Sequence, residues 1–248
     1  MKEIVYYSQK NPKWKNTMYS SRGDTTQTIG ASACGPTSAA MVISTLTNNV
    51  LLPTMAAKYA IENGFRTSNE GTSWGFFSSI AEKHGLTCSQ TSGLNEVKTA
   101  LSKGKLVIAS MKKGHFTGGG HYILLVGING AWIDVYDPNH SNRRYGSDGL
   151  VDQGVKDDGK VKSKESVFSA ECKQYWIFDT VKKDDTKTTQ STIKDDEEVQ
   201  TVKMILTKDN SVVEGFMKDN ANYIPVSVLK ELGHRVTWDN ENKKLYIS

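Results

Sequence analysis

The stretch Gly30-Ala31-Ser32-Ala33-Cys34-Gly35-Pro36-Thr37-Ser38-Ala39-Ala40-Met41-Val42 constrains this chain more than any other. It reads as a loop that feeds straight into a helix, with a cysteine at the junction. The small residues from Gly30 to Ala33 let the backbone come close to whatever lies above it. Pro36 suits a first helical turn, where its missing N–H would have no partner anyway. Ala39 to Ile43 continue as a small, apolar, core-facing helix, expected to run to about Leu46. A thiol at the junction meets unpaired N–H groups and the positive end of the helix dipole. Both favour the thiolate, which is the nucleophilic form. Packing as a small buried side chain is the ordinary fate of a free cysteine, so the residues available to act with Cys34 decide between packing and chemistry.

Composition narrows the field. A chain of 248 residues, 37% hydrophobic and 23% charged, has room for one sizeable domain and something small. The cysteines Cys34, Cys88 and Cys172 are far apart and odd in number, with no spacing for a zinc site or a disulfide framework. The net charge of +4 does not argue for nucleic acid. It is uneven: residues 1–180 hold 20 basic and 15 acidic side chains, and residues 181–248 hold 11 and 12. A basic first part suits an anionic polymer such as a cell wall, and a solvated surface accounts for it equally well. No run approaches the ~20 apolar residues of a membrane span. The opening residues lack the apolar core of a signal peptide. The expectation is a chain made in a cytoplasm.

Along the chain, Ile4–Gln9 reads as a short strand, followed by a turn with Trp14 as anchor. Pro53–Asn63 reads as a second helix, and a third opens at Gly71 and runs to Gly85, with His84 as a cation in its last turn. Asn95–Ser102 reads as a fourth helix, and Leu106–Ser110 as a buried strand. A glycine-rich loop, Gly114–Gly120, leads into a strand from His121 to Gly127. Asn129-Gly130 signals a hairpin whose return strand is Ala131–Asp137. From Asn139 to Lys162 the text is polar and glycine-rich; long loops of this kind are functional or disordered. Its aspartates do not have calcium-loop spacing. Ser163–Ser166 reads as a helix cap, and Lys173–Phe178 as a closing strand. Val181–Gln200 changes to Lys, Asp, Thr and Glu, the composition of a linker. The domains are therefore 1–180, a charged linker 181–200, and a small unit 201–248 with strands, a short helix at Val226–Leu232, and a hairpin about Asn240-Glu241-Asn242.

A thiolate needs a base, and the base needs an orienting group. Of the five histidines, only His121 begins a buried-type strand that would hold an imidazole in place. Asp137, at the far end of the hairpin, is the candidate orienter. A three-residue loop Ile128-Asn129-Gly130 pairs His121 with Asp137 on one face, whereas a two-residue loop puts Asp137 on the other. The chemistry therefore requires that three-residue register or a bulge. Asn139 is the fallback orienter, and Asp134, mid-strand, fits worse. Acyl transfer also needs a donor aimed at the oxyanion; Gln9, upstream of the thiol, is the candidate, alongside the Cys34 N–H. No metal or cofactor site is read.

These motifs carry a resemblance. Tyr6-Tyr7-Ser8-Gln9 with Trp14, Ala33-Cys34-Gly35-Pro36-Thr37-Ser38-Ala39-Ala40-Met41, Gly120-His121-Tyr122-Ile123-Leu124-Leu125-Val126-Gly127 and Tyr136-Asp137-Pro138 resemble the bacteriocin-processing-peptidase-like branch of the papain-type cysteine peptidases. The resemblance places that family's Gln, Cys, His and Asp on Gln9, Cys34, His121 and Asp137. It implies an α+β, papain-like fold: a cysteine helix packed on an antiparallel sheet that carries the histidine. Residues 201–248, with Asn222-Tyr223-Ile224-Pro225-Val226 and Val236-Thr237-Trp238-Asp239, resemble the copper amine oxidase N-terminal-like module. In bacterial and phage proteins that module implies an appended, wall-associated domain. His234 is its one histidine, so no copper is expected.

The expected function is a phage- or prophage-type peptidoglycan hydrolase, an endolysin-like cysteine peptidase or amidase cutting the peptide part of the bacterial cell wall. The alternatives are a cysteine peptidase for a peptide or protein substrate, and an inactive wall-binding or adhesion protein. The partner expected is peptidoglycan, with neither nucleic acid nor a membrane span. Self-association through the small C-terminal module is the competing reading of that module.

Overall fold

Two sets of buried apolar side chains lie on opposite faces of one sheet. Leu106, Ile108, Leu124, Trp176 and Phe178 pack one way, and Val107, Ala109, Ile123, Leu125 and Tyr175 pack the other. This is the alternation of successive side chains along a strand, repeated on neighbouring strands. The computed structural model describes residues 3–47, 49–68 and 71–181, and the backbone of five strands between 200 and 247. The chain divides into two units, Met1–Lys183 and Asp184–Ser248.

The first unit opens with a long segment free of regular structure and a single helical turn, α1 (Ile29–Ser32), capped by the Thr28 side chain. Helix α2 (Cys34–Thr47) follows after one residue, then α3 (Pro53–Glu62), a two-residue ribbon of β1 (Arg66–Thr67) and β2 (Gly71–Thr72), and α4 (Gly75–Lys83). Strand β3 (Leu86–Thr91), α5 (Leu94–Ser102), β4 (Leu106–Met111), β5 (His121–Asn129) and β6 (Trp132–Tyr136) come next. The unit closes with β7 (Val151–Asp152), β8 (Lys160–Lys164), α6 (Glu165–Glu171) and β9 (Cys172–Thr180). Seven strands form one antiparallel sheet in the order β3-β9-β4-β5-β6-β8-β7. Residues of α2, α3 and α4 share the first core, and those of α5 and α6 the second. The expected α+β class, with a cysteine helix packed on an antiparallel sheet, is what forms.

Helix α2 is buried from Gly35 to Thr45. Truncating a side chain such as Met41 or Ile43 to alanine at such a position costs about 2–5 kcal/mol. That burial pins the start of α2 against β5, where Ser38 Oγ donates to Tyr122 O at 3.4 Å. Cys34 heads α2 and His121 heads β5, so the packing that stabilises the core also brings the two side chains to one end of the sheet.

The hairpin between β5 and β6 departs from the expected register. Asn129 pairs with Trp132 around a two-residue turn, Gly130-Ala131. Gly130 has φ +58° and Ala131 does not share a positive φ, the pattern of a II′ turn with glycine first. Continued without interruption, this register would set Asp137 opposite Leu124, on the wrong face. An extra residue on β5, Val126, intervenes: the pairing shifts from Gly127↔Asp134 to Leu125↔Val135. The bulge carries Asp137, one residue past β6, onto the face of His121.

Other expectations are corrected. Residues Ile4–Gln9 form no strand; Val5 N–H bonds Thr45 Oγ1 on α2, and Gln9 N–H bonds Pro138 O. The flanks of β6 are already taken by β5 and β8, so no edge is open to this segment there. Helix α4 begins at Gly75 because Gly71 and Thr72 are used in the ribbon with β1. The expected cap at Ser163–Ser166 does not form: Ser163 belongs to β8, and α6 begins after Lys164 without a side-chain cap. His84 is held below its ordinary value, by burial first and by Lys83 next, which disfavours the cation expected at that helix end. Strands β3 and β7 were not anticipated, and β8 lies at the end of the polar excursion.

In the second unit, β10 (Gln200–Ile205), β11 (Val212–Lys218) and β12 (Ala221–Tyr223) form one antiparallel sheet, and β13 (Val236–Asp239) pairs with β14 (Lys244–Ile247). The expected helix at Val226–Leu232, and the expected linker apart from Val181 and Gln200, lie outside the described residues.

Candidate active site

A cleft of about 760 Å³ opens at the end of the sheet where β4 stops and β5 begins. Gln9, Cys34 and His121 line it together, with Trp74 on its wall and the loop Phe116–Gly120 beside it. Asp137 lies behind His121 and is fully buried.

His121 Nε2 is 2.7 Å from Asp137 Oδ1. With Nε2 engaged, Nδ1 is the ring nitrogen left to face the thiol. Burial alone would push the imidazole down, but the charges of Asp137 and Cys34, and its bonds to both, push it up to about 10. For Cys34, burial alone would push the thiol up. The charge of His121, its side-chain contact, and the backbone N–H groups of Tyr122 and Gly35 outweigh this and hold the thiol below its ordinary value. Opposite charge favours the charged form of each partner, so each promotes ionisation of the other and the two titrate as a unit. Cys34 is also the first residue of α2, where N–H groups lack intrahelical partners. The other thiols show the contrast: burial raises Cys88 to about 11 and also raises Cys172.

Asp137 is a buried carboxylate with every oxygen occupied. Oδ1 also accepts from Asn139 N–H at 2.8 Å, and Oδ2 accepts from Asn142 Nδ2 and Tyr145 O–H, both at 2.9 Å. Its main chain is held as firmly: Asp137 N–H donates to Gly159 O, and Asp137 O accepts from Tyr6 O–H, both at 2.8 Å. A buried charge is tolerated only when so paired. The polar excursion after Asn139 thus supplies Asn142, Tyr145 and Gly159 to the orienting acid. Sequence reasoning missed these residues. The length of the excursion was the only signal, since a lone Asn or Tyr in polar text carries none. Asn139 contributes its backbone N–H to Asp137, and Asp134 sits opposite Gly127, away from the cleft.

Gln9 is buried beside the thiol, with Nε2 donating to Gly30 O at 2.9 Å. One amide N–H is used in that bond, which fixes the side chain and leaves the second N–H for an oxyanion. His115 stands outside the cleft: Nδ1 is 2.5 Å from Glu171 Oε1, and Nε2 is 2.9 Å from Asp148 Oδ2. The two carboxylates raise it against the effect of burial, and it anchors the glycine-rich loop. Among the described residues, no group of three or more His, Cys, Asp or Glu side chains is arranged to hold a metal ion. Nor is any described helix long and apolar enough to cross a membrane.

A thiolate at a helix start, an imidazolium and a buried carboxylate on one cleft are the equipment of a papain-type cysteine peptidase. The chain belongs to the Peptidase_C39 like family, whose model matches residues 1–153, more than half of its length. It is a cysteine peptidase, and hence a hydrolase. Among solved structures, it is similar to a C39-like peptidase from Bacillus anthracis, at 14% identity over 74% of this chain and 98% of that one, with a TM-score of 0.49. It is also similar to the peptidase domain of Streptococcus ComA, a bifunctional ABC transporter involved in quorum sensing, at 16% identity over 60% and 92%, with a TM-score of 0.43. A third is a double-glycine-motif protease from an AMS/PCAT transporter, in complex with its leader peptide, at 16% identity over 73% and 94%, with a TM-score of 0.43. No curated protein matches the chain.

Proposed function

We propose that this chain is a peptidoglycan hydrolase that cuts an amide or peptide bond of the bacterial cell wall, with Cys34 as nucleophile, His121 as acid and base, Asp137 as orienter and Gln9 as oxyanion donor. The observation that carries the chemistry is the His121–Asp137 contact at 2.7 Å beside a thiol held below its ordinary value. The Cys34 thiolate attacks the scissile carbonyl carbon, and the carbonyl oxygen takes up the charge. Gln9 Nε2 and the Cys34 N–H stabilise that oxyanion. The tetrahedral species collapses to a thioester as His121 gives its proton to the leaving nitrogen. His121, now neutral, takes a proton from water as the water attacks the thioester. Loss of the acid product restores thiolate and imidazolium.

The wall as substrate is supported by the layout of the chain: a peptidase unit followed by a second small unit whose sequence resembles a wall-associated module. Tethering by such a module raises the local concentration of enzyme at a surface. The test uses purified walls and a panel of soluble peptides. Loss of turbidity, with fragments bearing one new terminus by mass spectrometry, is expected from the wild-type chain and not from Cys34→Ala. Cleavage of soluble peptides with intact walls left untouched would replace the wall with a peptide or protein substrate. Wall sedimentation without cleavage of either would make the chain an adhesion protein. Light scattering on the full chain reads whether the second unit serves self-association instead.

A further inference from the structure

Three cations line the cleft, and among the described residues no carboxylate lines it with them. Lys10 Nζ donates to Ser141 Oγ at 3.1 Å. Arg144 lies over the glycine-rich loop, so close that a methyl group on Gly118 would sit 2.6 Å from one of its guanidinium nitrogens. Lys173 is exposed near the start of β9. None of the three is in an ion pair among the described residues. The adjacent Arg143 is paired with Asp157. Of the described carboxylates near the cleft, Asp137 is bonded to His121, Glu171 and Asp148 to His115, and Asp157 to Arg143, while Asp158 borders a neighbouring hollow that Lys10 also lines.

The sheet order sets where these charges stand. β9 lies two strands from β5, on the far side of β4. At a strand spacing of about 4.8 Å, Lys173 is displaced by about 10 Å from the His121 strand in that direction. Arg144 stands over Gly118, in the loop that leads into β5, and Lys10 stands against Ser141, in the loop that follows Asp137. All three cations therefore border the cleft that Cys34 lines. A cleft whose described Lys, Arg, Asp and Glu lining residues are all cations selects for negative charge.

We infer that the cleft takes an anionic peptide, one carrying a carboxylate within about three residues of the scissile carbonyl. This rests on the cleft being the active site. Arg144 offers a planar fork that receives a carboxylate in two parallel bonds, and Lys10 and Lys173 act as point charges. The specificity-determining residues are then Lys10, Arg144 and Lys173, on surface loops and a strand end, where exchange does not disturb either core.

The test sets a charged probe against a neutral one of nearly the same shape. The full chain is alkylated with iodoacetate and with iodoacetamide, and the modified cysteine is identified by mass spectrometry. In a Lys10→Ala, Arg144→Ala, Lys173→Ala triple variant, the ratio of the iodoacetate rate to the iodoacetamide rate at Cys34 is expected to fall about tenfold at low salt. The difference should shrink as salt is added. Arg144→Lys alone should keep most of the ratio. In parallel, a proteome-derived peptide library should be cut by the wild-type chain at sites enriched in Asp and Glu, and the enrichment should vanish in the triple variant. If iodoacetamide labels Cys34 while the ratio is the same in both proteins, the charge selection is overturned and the thiol site stands. If library peptides are cut without acidic preference, the same conclusion follows. If Cys88 or Cys172 is labelled ahead of Cys34, the active-site reading falls and takes this one with it. The alkylation ratio decides even where no library peptide is cut.

Discussion

Replacing Asp137 by asparagine tests how the site holds its charge. The carboxylate is fully buried and is the strongest influence raising His121, which burial would otherwise push below its ordinary value of 6.5. The balance leaves the imidazole at about 10, a departure worth about 5 kcal/mol at about 1.4 kcal/mol per pH unit. Asparagine keeps one acceptor oxygen for His121 and the Asn139 N–H. It puts an NH2 where Oδ2 now accepts from Asn142 and Tyr145. Tyr145 can rotate its hydroxyl to accept. Asn142 cannot turn over without loss, because its Nδ2 also donates to Phe116 O and its Oδ1 accepts from Arg144 N–H. The variant therefore loses the charge and gains a buried donor–donor contact, the latter costing about 1–3 kcal/mol of stability. With the carboxylate gone, the imidazole loses its main charged partner and its fixed orientation, and kcat/KM should fall about 100-fold or more, though less than for His121→Ala. The sign of the pH effect is fixed: without the negative neighbour the imidazolium gives up its proton at lower pH. The alkaline limb of the kcat/KM profile should move down from near pH 10 towards 6.5, and the pH range of rapid iodoacetamide labelling at Cys34 should change with it. A variant with a wild-type alkaline limb would refute the assignment of Asp137 as the group that sustains the imidazolium.

His121→Ala should lose about as much activity as Cys34→Ala, because nucleophile and base act as a unit. His115→Ala should keep most of its kcat/KM, since Glu171 and Asp148 hold that ring outside the cleft; the reverse outcome would move the base to the glycine-rich loop. Gly159→Ala should destabilise the protein by about 2–4 kcal/mol in urea unfolding. Its φ is +75°, and an added methyl would collide with the Tyr6 hydroxyl and sit 2.8 Å from Asp137 O; a wild-type unfolding midpoint would contradict this. Tyr145→Phe removes one of two donors to Asp137 Oδ2. It should cost about 1–2 kcal/mol in stability, with a several-fold fall in kcat and KM little changed.

Much of the site was readable because it rests on local chemistry. A cysteine followed by Gly-Pro and a run of small apolar residues specifies a helix start, and α2 begins at Cys34. A histidine at the head of Tyr-Ile-Leu-Leu-Val specifies a rigid strand end, and β5 begins at His121. What the sequence hides is whatever depends on register and on distant partners. Asn129-Gly130 signals a hairpin but not which residues form its turn. The bulge at Val126 has no residue signature, since valine is as common in unbroken strands. The strands β3 and β8 are short and mostly polar on one face, so periodicity alone does not separate them from loop. Asn142 and Tyr145 acquire meaning only from the carboxylate they meet in space.

The site is assembled from interruptions in regular structure, and this explains where its precision comes from. Ala33 separates α1 from α2, and leaves Cys34 as the first residue of a long buried helix. Val126 breaks the β5–β6 ladder and turns Asp137 to the face of His121. Pro138 follows Asp137 and has no N–H to continue a ladder; its carbonyl instead accepts from Gln9 N–H at 2.9 Å. One short stretch, Tyr136–Asn139, thereby fixes both sides of the chemistry. Asp137 Oδ1 holds His121, and Pro138 O holds the backbone of Gln9, whose side chain lines the same cleft. Any shift of that stretch would move His121 and Gln9 together. Tyr6, Gly159, Asn142 and Tyr145 all bond to Asp137, three of them through atoms more than five residues away in sequence. The polar excursion therefore functions as a brace: its backbone and side chains replace the ladder bonds that β6 gives up at Tyr136, and the Asp137 side chain stays buried and fully bonded.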